Sequence, residues 1–166
     1  MSPAVPPPLR SETLRCRVNG QEQTLALTSA ATLLHVLRND CGLNSPRLGC
    51  GLGQCGACTV WVDGVAARSC CIPALEMQGR DITTLEGLAA ELKVVPESFV
   101  QAQAAQCGYC LNGMVMMAAQ LLRDQPDPSD ADIVRALSAN VCRCGTHVEI
   151  MAAVRLAARR IQGWKA

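Results

Sequence analysis

Apolar and polar residues alternate near the start of the chain, with the period of two that is typical of a half-buried β-strand. The alternating apolar positions are Leu14, Cys16, Val18, Leu25 and Leu27. Asn19-Gly20 lies between the two sets and favours a two-residue hairpin turn, because both residue types tolerate a positive φ. We therefore predict a β-hairpin over residues 13–28.

The pattern changes several times before residue 84. Leucines at helical spacing predict a short amphipathic helix from residue 32 to about 39. A second hairpin is predicted over 59–69, with its turn at Asp63-Gly64. A short strand is predicted over 81–83.

From about residue 86 the apolar residues recur with the spacing of helices. The strongest pattern covers 113–123, and a capping box at Thr146 and Glu149 opens another helix that runs to about Gln162. The other helix signals are Pro96 in a first turn, Ser129 as an N-cap, Pro126 after one helix and Gly163 as the stop of the last.

Strands followed by helices indicate an α+β chain with two small domains. We expect a flexible, proline-rich arm at 1–11, a strand-rich domain at 12–84 and a helical domain at 85–166. Neither domain is long enough to bury a large core, so bound metal is expected to contribute to their stability.

Composition excludes several function classes. A net charge of +1 and only two Trp, one Tyr and one Phe argue against a nucleic-acid binder. The charged fraction of 17% is below the roughly 25% of an average soluble chain, which suggests that a partner protein covers part of the surface. No segment has the pattern of a membrane span or a secretory signal. We expect a cytoplasmic protein, with export or membrane association through a partner subunit left open.

Eleven cysteines in a reducing compartment indicate metal ligation rather than disulfides. Cys50, Cys55 and Cys58 have the spacing C-x4-C-x2-C, followed by a fourth cysteine at Cys70, which is the plant-type [2Fe–2S] signature. Glycines between them suit a sharply turning loop whose N–H groups approach the sulfurs.

Two other interpretations of this loop fit less well. Gly51, Gly53 and Gly56 match the dinucleotide-binding pattern G-x-G-x-x-G. The dinucleotide-binding motif follows a strand and opens a helix. In this chain the loop contains three cysteines, and a predicted strand comes after it. A zinc site uses two tight cysteine pairs, which this spacing does not provide.

A second group combines Cys107-x-x-Cys110 with Cys142-x-Cys144. Its spacing is compatible with a four-thiolate zinc site, a second iron–sulfur cluster or a redox pair. Each cysteine pair precedes a predicted helix, whose N-terminal N–H groups and dipole favour an anionic ligand. The helices therefore favour an iron–sulfur cluster, while the other two interpretations stay open.

Together these motifs resemble the small iron–sulfur subunit of the molybdenum hydroxylases, the xanthine oxidase family. They are G-C-G-L-G-Q-C-G-A-C-T-V at 49–60, S-C at 69–70, Q-C-G-Y-C at 106–110 and N-V-C-R-C-G at 140–145. The resemblance covers residues 13–162.

The resemblance implies a β-grasp, plant-ferredoxin-like N-terminal domain and a C-terminal four-helix bundle, each with one [2Fe–2S] cluster. The implied ligands are Cys50, Cys55, Cys58 and Cys70 for the first cluster and Cys107, Cys110, Cys142 and Cys144 for the second. A large partner subunit would hold a molybdopterin-type molybdenum cofactor, in the cytosine dinucleotide form. Gln106 and Cys144 would lie near its pterin; the alternative for Gln106 is a polar residue at a helix end.

The family hydroxylates a substrate carbon at molybdenum, and the small subunit passes the electrons through both clusters to a flavin subunit or a cytochrome c-type acceptor. Many relatives have Cys-Thr-Gly where this chain has Cys144-Gly145-Thr146. The variant resembles isoquinoline, nicotinate and some aldehyde oxidoreductases, whose final acceptor can be a cytochrome. We therefore expect an N-heteroaromatic substrate. The alternatives are an aldehyde-oxidising enzyme of the family, a non-catalytic iron–sulfur module that binds partners, and a free ferredoxin-like carrier.

Three cysteines remain outside both quartets: Cys16, Cys41 and Cys71. Cys16 is predicted to be a core residue of the first hairpin, since free cysteine behaves as a small hydrophobe. Cys71 competes with Cys70 for the fourth ligand position. Neighbouring residues of an extended chain point to opposite faces, and the family spacing selects Cys70. We therefore expect Cys71 to point away from the first cluster.

Overall fold

The first half of the molecule is a five-stranded mixed sheet. The computed structural model describes residues 11–28 and 30–165. Its strands are β1 (Ser11–Val18), β2 (Gln21–Thr28), β3 (Thr59–Val62), β4 (Val65–Arg68) and β5 (Asp81–Thr83). Their order is β2-β1-β5-β3-β4, in which β1 and β5 run parallel and the other neighbours antiparallel. All five strands lie where the sequence pattern predicts them.

Both hairpin turns use two residues with positive φ. Asn19 and Gly20 have φ values of 52° and 79°, and Asp63 and Gly64 have values of 48° and 80°. This turn type has the right twist to connect adjacent antiparallel strands. The second hairpin is shorter than predicted, because Ser69–Cys71 form a 3₁₀ turn after β4.

A short helix packs on the sheet. Helix α1 (Leu33–His35) continues in wider π-type turns over Val36–Asp40, close to the predicted range 32–39. The core that it shares with the sheet contains the buried side chains Leu14, Cys16, Val18, Leu33, Leu37, Val60 and Ile82. Cys16 is therefore a core residue, as predicted. The predicted flexible arm at 1–11 lies outside the described residues, except for its last residue, which begins β1.

The second half contains four helices that share one core. They are α2 (Val94–Gln101), α3 (Leu111–Asp124), α4 (Asp130–Leu137) and α5 (His147–Lys165). Pro96 lies in the first turn of α2, as predicted. Ser129 caps α4, with its hydroxyl accepting the N–H of Asp132. Within the described ranges, no helix combines the length and the apolar character needed to cross a membrane.

The predicted end of the last helix is wrong. Gly163 lies inside α5, which continues to Lys165. Glycine lowers the stability of a helix by roughly 1 kcal/mol relative to alanine, but it keeps its backbone hydrogen-bonding groups. A glycine without a positive φ therefore does not stop a long helix by itself.

The two halves are joined where β3 and the first cysteine loop meet α3. The side-chain amide of Asn112 donates to the carbonyl oxygens of Ala57 and Thr59, at 3.1 and 2.9 Å. The indole N–H of Trp61 donates to the carbonyl oxygen of Met116 at 3.2 Å. Trp61 is 5% exposed and belongs to the core of the helices. The sheet therefore completes the core of the helical half.

Candidate metal centres

The first cysteine loop directs backbone N–H groups at its own sulfurs. Cys50 Sγ accepts the N–H groups of Leu52 and Gln54 at 3.3 Å and that of Cys55 at 3.4 Å. Cys55 Sγ accepts the N–H of Cys50 at 3.3 Å. The N–H groups of Leu52 and Cys55 lower the pKa of Cys50 to about 6, because they stabilise the thiolate. The loop is therefore built for anionic sulfur.

Glycine is required at two positions of this loop by the close approach of a sulfur. A β-carbon on Gly49 would lie 2.5 Å from Cys55 Sγ. Gly53 has a φ of 73°, and a β-carbon there would lie 3.1 Å from Cys71 Sγ. The glycines predicted from the cysteine motif thus make room for sulfur atoms.

Cys58 and Cys70 form the buried side of the first group. They are 2% and 9% exposed and pack against Leu34. The Ser69 hydroxyl donates to the Cys58 carbonyl oxygen at 2.7 Å, which ties the 3₁₀ turn to the cysteine loop. Burial raises the pKa of Cys58 to about 11, and the neighbouring Cys70 thiol acts in the same direction.

The prediction that Cys71 points away from the first group is wrong. Its Sγ lies 3.5 Å from Cys70 Sγ and 4.0 Å from the carbonyl oxygen of Gly51. The prediction assumed an extended chain, whereas Ser69–Cys71 form a 3₁₀ turn. In such a turn, side chains of consecutive residues are not directed to opposite faces. The first group therefore contains a fifth thiol.

The second cysteine group consists of two close pairs. Cys107 Sγ and Cys144 Sγ are 3.4 Å apart, and Cys110 and Cys142 are close neighbours. Cys110 and Cys142 also pack against the core of the helices. Burial, together with the Cys142 thiol, raises the pKa of Cys110 to about 12.

The helices lie next to this group as predicted. Cys110 is the N-cap residue of α3, and the Cys142–Cys144 segment precedes α5. The hydroxyl of Thr146, which was predicted to open α5, lies 3.4 Å from Cys142 Sγ. Burial alone would raise the pKa of Cys142, but hydrogen bonds with the Thr146 hydroxyl and N–H outweigh it and lower the pKa to about 6.

The two groups meet at one small cavity of about 190 Å³. Its lining includes Cys50 and Cys55 of the first group and Cys107, Cys110, Cys142 and Cys144 of the second. The N–H of Val141 donates to the carbonyl oxygen of Cys55 at 3.0 Å. Because Val141 adjoins Cys142, one backbone hydrogen bond links the two cysteine groups.

Asn140 and Val141 belong to a motif that the sequence analysis singles out, but their role in holding the two groups together is not predicted there. Asn140 is 6% exposed, and a β-carbon on Gly56 would lie 2.4 Å from its Nδ2 atom. The signal for both residues is the motif N-V-C-R-C-G at 140–145, in which they come before Cys142. Gln106, the candidate for a pterin contact, is exposed beside Cys107.

Thiol pairs are the common feature of both groups. Among residues 11–28 and 30–165, no three His, Cys, Asp or Glu side chains converge to hold a single metal ion. The sulfur–sulfur contacts are Cys107 with Cys144 at 3.4 Å and Cys70 with Cys71 at 3.5 Å. Cys50 and Cys55 are joined by a backbone N–H bond to sulfur, and the pKa values of Cys58 and Cys110 respond to the thiols of Cys70 and Cys142.

Two family models match the chain. One, described as a 2Fe-2S iron-sulfur cluster binding domain, matches residues 16–89, and the other, a [2Fe-2S] binding domain, matches residues 84–155. These matches agree with the expectation of a ferredoxin-like first half followed by a helical second half that also binds a [2Fe–2S] cluster.

Individual proteins match over nearly their whole length. A nicotinate dehydrogenase component from Pseudomonas putida is 57% identical over 148 residues, 88% of this chain and 94% of that protein. A component of isoquinoline 1-oxidoreductase from Brevundimonas diminuta is 43% identical, over 86% and 95% of the two chains. A chain of the quinoline 2-oxidoreductase structure from Pseudomonas putida superposes with a TM-score of 0.85 at 31% identity, over 94% of this chain and 99% of that one.

Proposed function

Because this chain belongs to the small iron–sulfur subunits of the molybdenum hydroxylase family, we propose that it carries electrons from a molybdenum-containing large subunit to a separate acceptor through two [2Fe–2S] clusters. The substrate site lies in the large subunit. The relatives named for nicotinate and isoquinoline support an N-heteroaromatic substrate.

The observation that carries the proposal is the gathering of the eight cysteines into two adjacent groups, six of them around one cavity. A [2Fe–2S] cluster held by four cysteines has two irons, and each takes two thiolates. We assign one iron of the first cluster to Cys50 with Cys55 and the other to Cys58 with Cys70. In the second cluster the pairs are Cys107 with Cys144 and Cys110 with Cys142. The sulfur separation of 3.4 Å in the Cys107 pair and the N–H groups directed at Cys50 suit this donor set.

Each bound cluster supplies one-electron redox chemistry. The chain's own part is to keep the two sites adjacent and to shape their surroundings. The hydrogen bond from Val141 N–H to the Cys55 carbonyl oxygen supports a short connection between the sites. Donors to sulfur around Cys50 and Cys142 stabilise negative charge there, which is one way in which a protein raises a cluster potential.

We further propose how the chain meets its partners. The exposure of Gln106 and Cys107 supports placing the second cluster at the large subunit, with Gln106 and Cys144 beside the pterin of a molybdopterin cytosine dinucleotide. The first cluster then faces a flavin subunit or a cytochrome c-type acceptor. We assign residues 12–84 to a β-grasp domain and 85–166 to a domain in which α2–α5 form a four-helix bundle. We also infer assembly in the cytoplasm.

The test is anaerobic purification of the chain together with whatever co-elutes with it. We expect a larger molybdenum-containing chain, about four iron and four sulfide per copy of the small chain, and two distinct EPR signals after reduction. Nicotinate, isoquinoline and an aromatic aldehyde are then added separately. Cluster reduction by a heteroaromatic compound supports the proposal, whereas reduction by the aldehyde alone assigns an aldehyde-oxidising enzyme.

Two further outcomes would contradict the proposal. A small chain that purifies alone, with clusters that no substrate reduces, would be a partner-binding module or a free carrier. An iron-free chain that still supports substrate oxidation in the complex would remove the electron-transfer role altogether.

A further inference from the structure

The Sγ atoms of Cys70 and Cys71 are close neighbours at the first cysteine group. The two Sγ atoms are 3.5 Å apart. Two thiolates on one tetrahedral metal ion, with metal–sulfur bonds of about 2.3 Å, are roughly 3.8 Å apart. The two sulfurs therefore lie no farther apart than neighbouring ligands of one iron.

The 3₁₀ turn keeps Cys71 directed at the first cysteine loop. A β-carbon on Gly53 would lie 3.1 Å from Cys71 Sγ, and the carbonyl oxygen of Gly51 lies 4.0 Å from that sulfur. The turn is anchored by the hydrogen bond from the Ser69 hydroxyl to the Cys58 carbonyl oxygen. Cys71 is thus held beside Cys70 and the Gly51–Gly53 part of the first cysteine loop.

We propose that Cys71 is a reserve ligand of the first cluster, which takes the place of Cys70 on the iron shared with Cys58 when the Cys70 thiolate is lost. This inference rests on the proposed function, since it requires a cluster at the first cysteine group. Rotation of a cysteine side chain between staggered rotamers moves its sulfur by roughly 3 Å, which is close to the observed separation. The exchange therefore needs no large movement of the backbone.

The exchange is a ligand substitution without electron transfer. The bond between iron and the Cys70 sulfur breaks, and a bond between the same iron and the Cys71 sulfur forms. The proton of the Cys71 thiol passes to the displaced Cys70 sulfur, or to solvent where Cys70 has been replaced. Cys71 is exposed and Cys70 is buried, so the exchanged cluster lies closer to solvent.

The experiment compares the full chain with Cys70→Ala, Cys71→Ala and the double variant, all purified anaerobically. We expect about four iron per chain in the native protein and in both single variants, and about two in the double variant. Cys55→Ala is the matched control, because no other thiol has been placed beside Cys55 as a substitute. It should retain about two iron, those of the second cluster.

Alkylation provides a second measurement that does not depend on iron content. In the native chain, iodoacetamide should modify Cys71 and leave Cys70 protected. In Cys70→Ala, Cys71 should become protected and should react again after the iron is removed with a chelator. The EPR signal of the second cluster reports that each variant is folded.

The outcomes separate the inference from the proposed function. If the native chain binds about four iron but Cys70→Ala binds about two, Cys71 is not a ligand and the inference is wrong. The same follows if Cys71 in Cys70→Ala is alkylated as fast as in the native chain. A native chain without iron overturns the proposed function instead.

Discussion

Gly113 of α3 lies so close to Gly56 of the first cysteine loop that a β-carbon on Gly113 would be 2.0 Å from the Gly56 carbonyl oxygen. The same β-carbon would lie 2.6 Å from Nδ2 of Asn140. The cysteine loop, α3 and the segment before Cys142 therefore meet at a point with no room for a side chain.

Gly113→Ala should destabilise the chain even though alanine favours helices. The added methyl group must displace backbone, and such overpacking costs about 1–3 kcal/mol. The measurement is the urea midpoint of the full chain. Gly163→Ala is the matched control, because Gly163 is also helical and a β-carbon there meets nothing within 4 Å. It should stabilise the chain by about 0.5–1 kcal/mol. Equal urea midpoints for Gly113→Ala and the native chain would show that the neighbouring atoms move aside without a loss of stability.

Val141→Pro should weaken the link between the two cysteine groups. Proline lacks the N–H that donates to the Cys55 carbonyl oxygen, and the loss of one such bond costs about 0.5–1.5 kcal/mol. We expect a lower urea midpoint and slower electron transfer between the clusters in rapid-mixing experiments. Val141→Ala keeps the N–H and should leave the transfer rate unchanged. If electron transfer slows equally in both variants, the cause is the loss of the valine side chain and not the loss of the N–H.

Cys55→Ser should remove the first cluster and leave the second. Iron should fall from about four to about two per chain, and one of the two EPR signals should disappear. Cys41→Ser is the control, since Cys41 belongs to neither group and should leave both signals in place. If Cys55→Ser keeps all of its iron, residues other than Cys55 must hold the first cluster.

Glu86 should stabilise the fold in a pH-dependent way. Burial alone would raise its pKa, but hydrogen bonds from Ser45 and Thr84 outweigh it and hold the pKa below the ordinary value of 4.5. A carboxylate with a lowered folded-state pKa contributes stability that is complete above its unfolded-state pKa. The contribution disappears as the pH falls through the folded-state value.

Glu86→Gln should therefore lower the free energy of unfolding near neutral pH by less than about 1 kcal/mol, because Glu86 is exposed and solvent screens its interactions. The difference from the native chain should shrink once the pH falls below 4.5, the ordinary pKa. Urea unfolding over this pH range provides the measurement. Glu91 is also exposed and lies on the next 3₁₀ turn. Glu91→Gln is therefore the control and should change the stability little at any pH. A constant difference for Glu86→Gln across the range would exclude the carboxylate as its source.

Short-range patterns predicted most of the fold. The alternation around Asn19-Gly20 and the cap at Ser129 depend on neighbouring residues, and both were found in place. The cysteine spacing likewise located the loop, while the apolar pattern and the capping box at Thr146 located α3 and α5. Gly163 was misjudged because the length of α5 depends on more than its last glycine.

Contacts between distant residues could not be read from the sequence. Cys71 faces the first group because Ser69 is anchored to the Cys58 carbonyl oxygen across the hairpin. The prediction for Cys71 assumed an extended chain and therefore missed this contact. The hydrogen bond between Val141 and Cys55 joins residues of different halves. No local pattern carries information about such a pairing.

The hydrogen bond from Val141 to Cys55 consists of main-chain atoms only. Nineteen of the twenty standard amino acids supply the same donor at position 141, since proline alone lacks an amide hydrogen. Any substitution at this position other than proline therefore keeps this contact between the two cysteine groups, which is inherited with the backbone rather than with the side chain of residue 141.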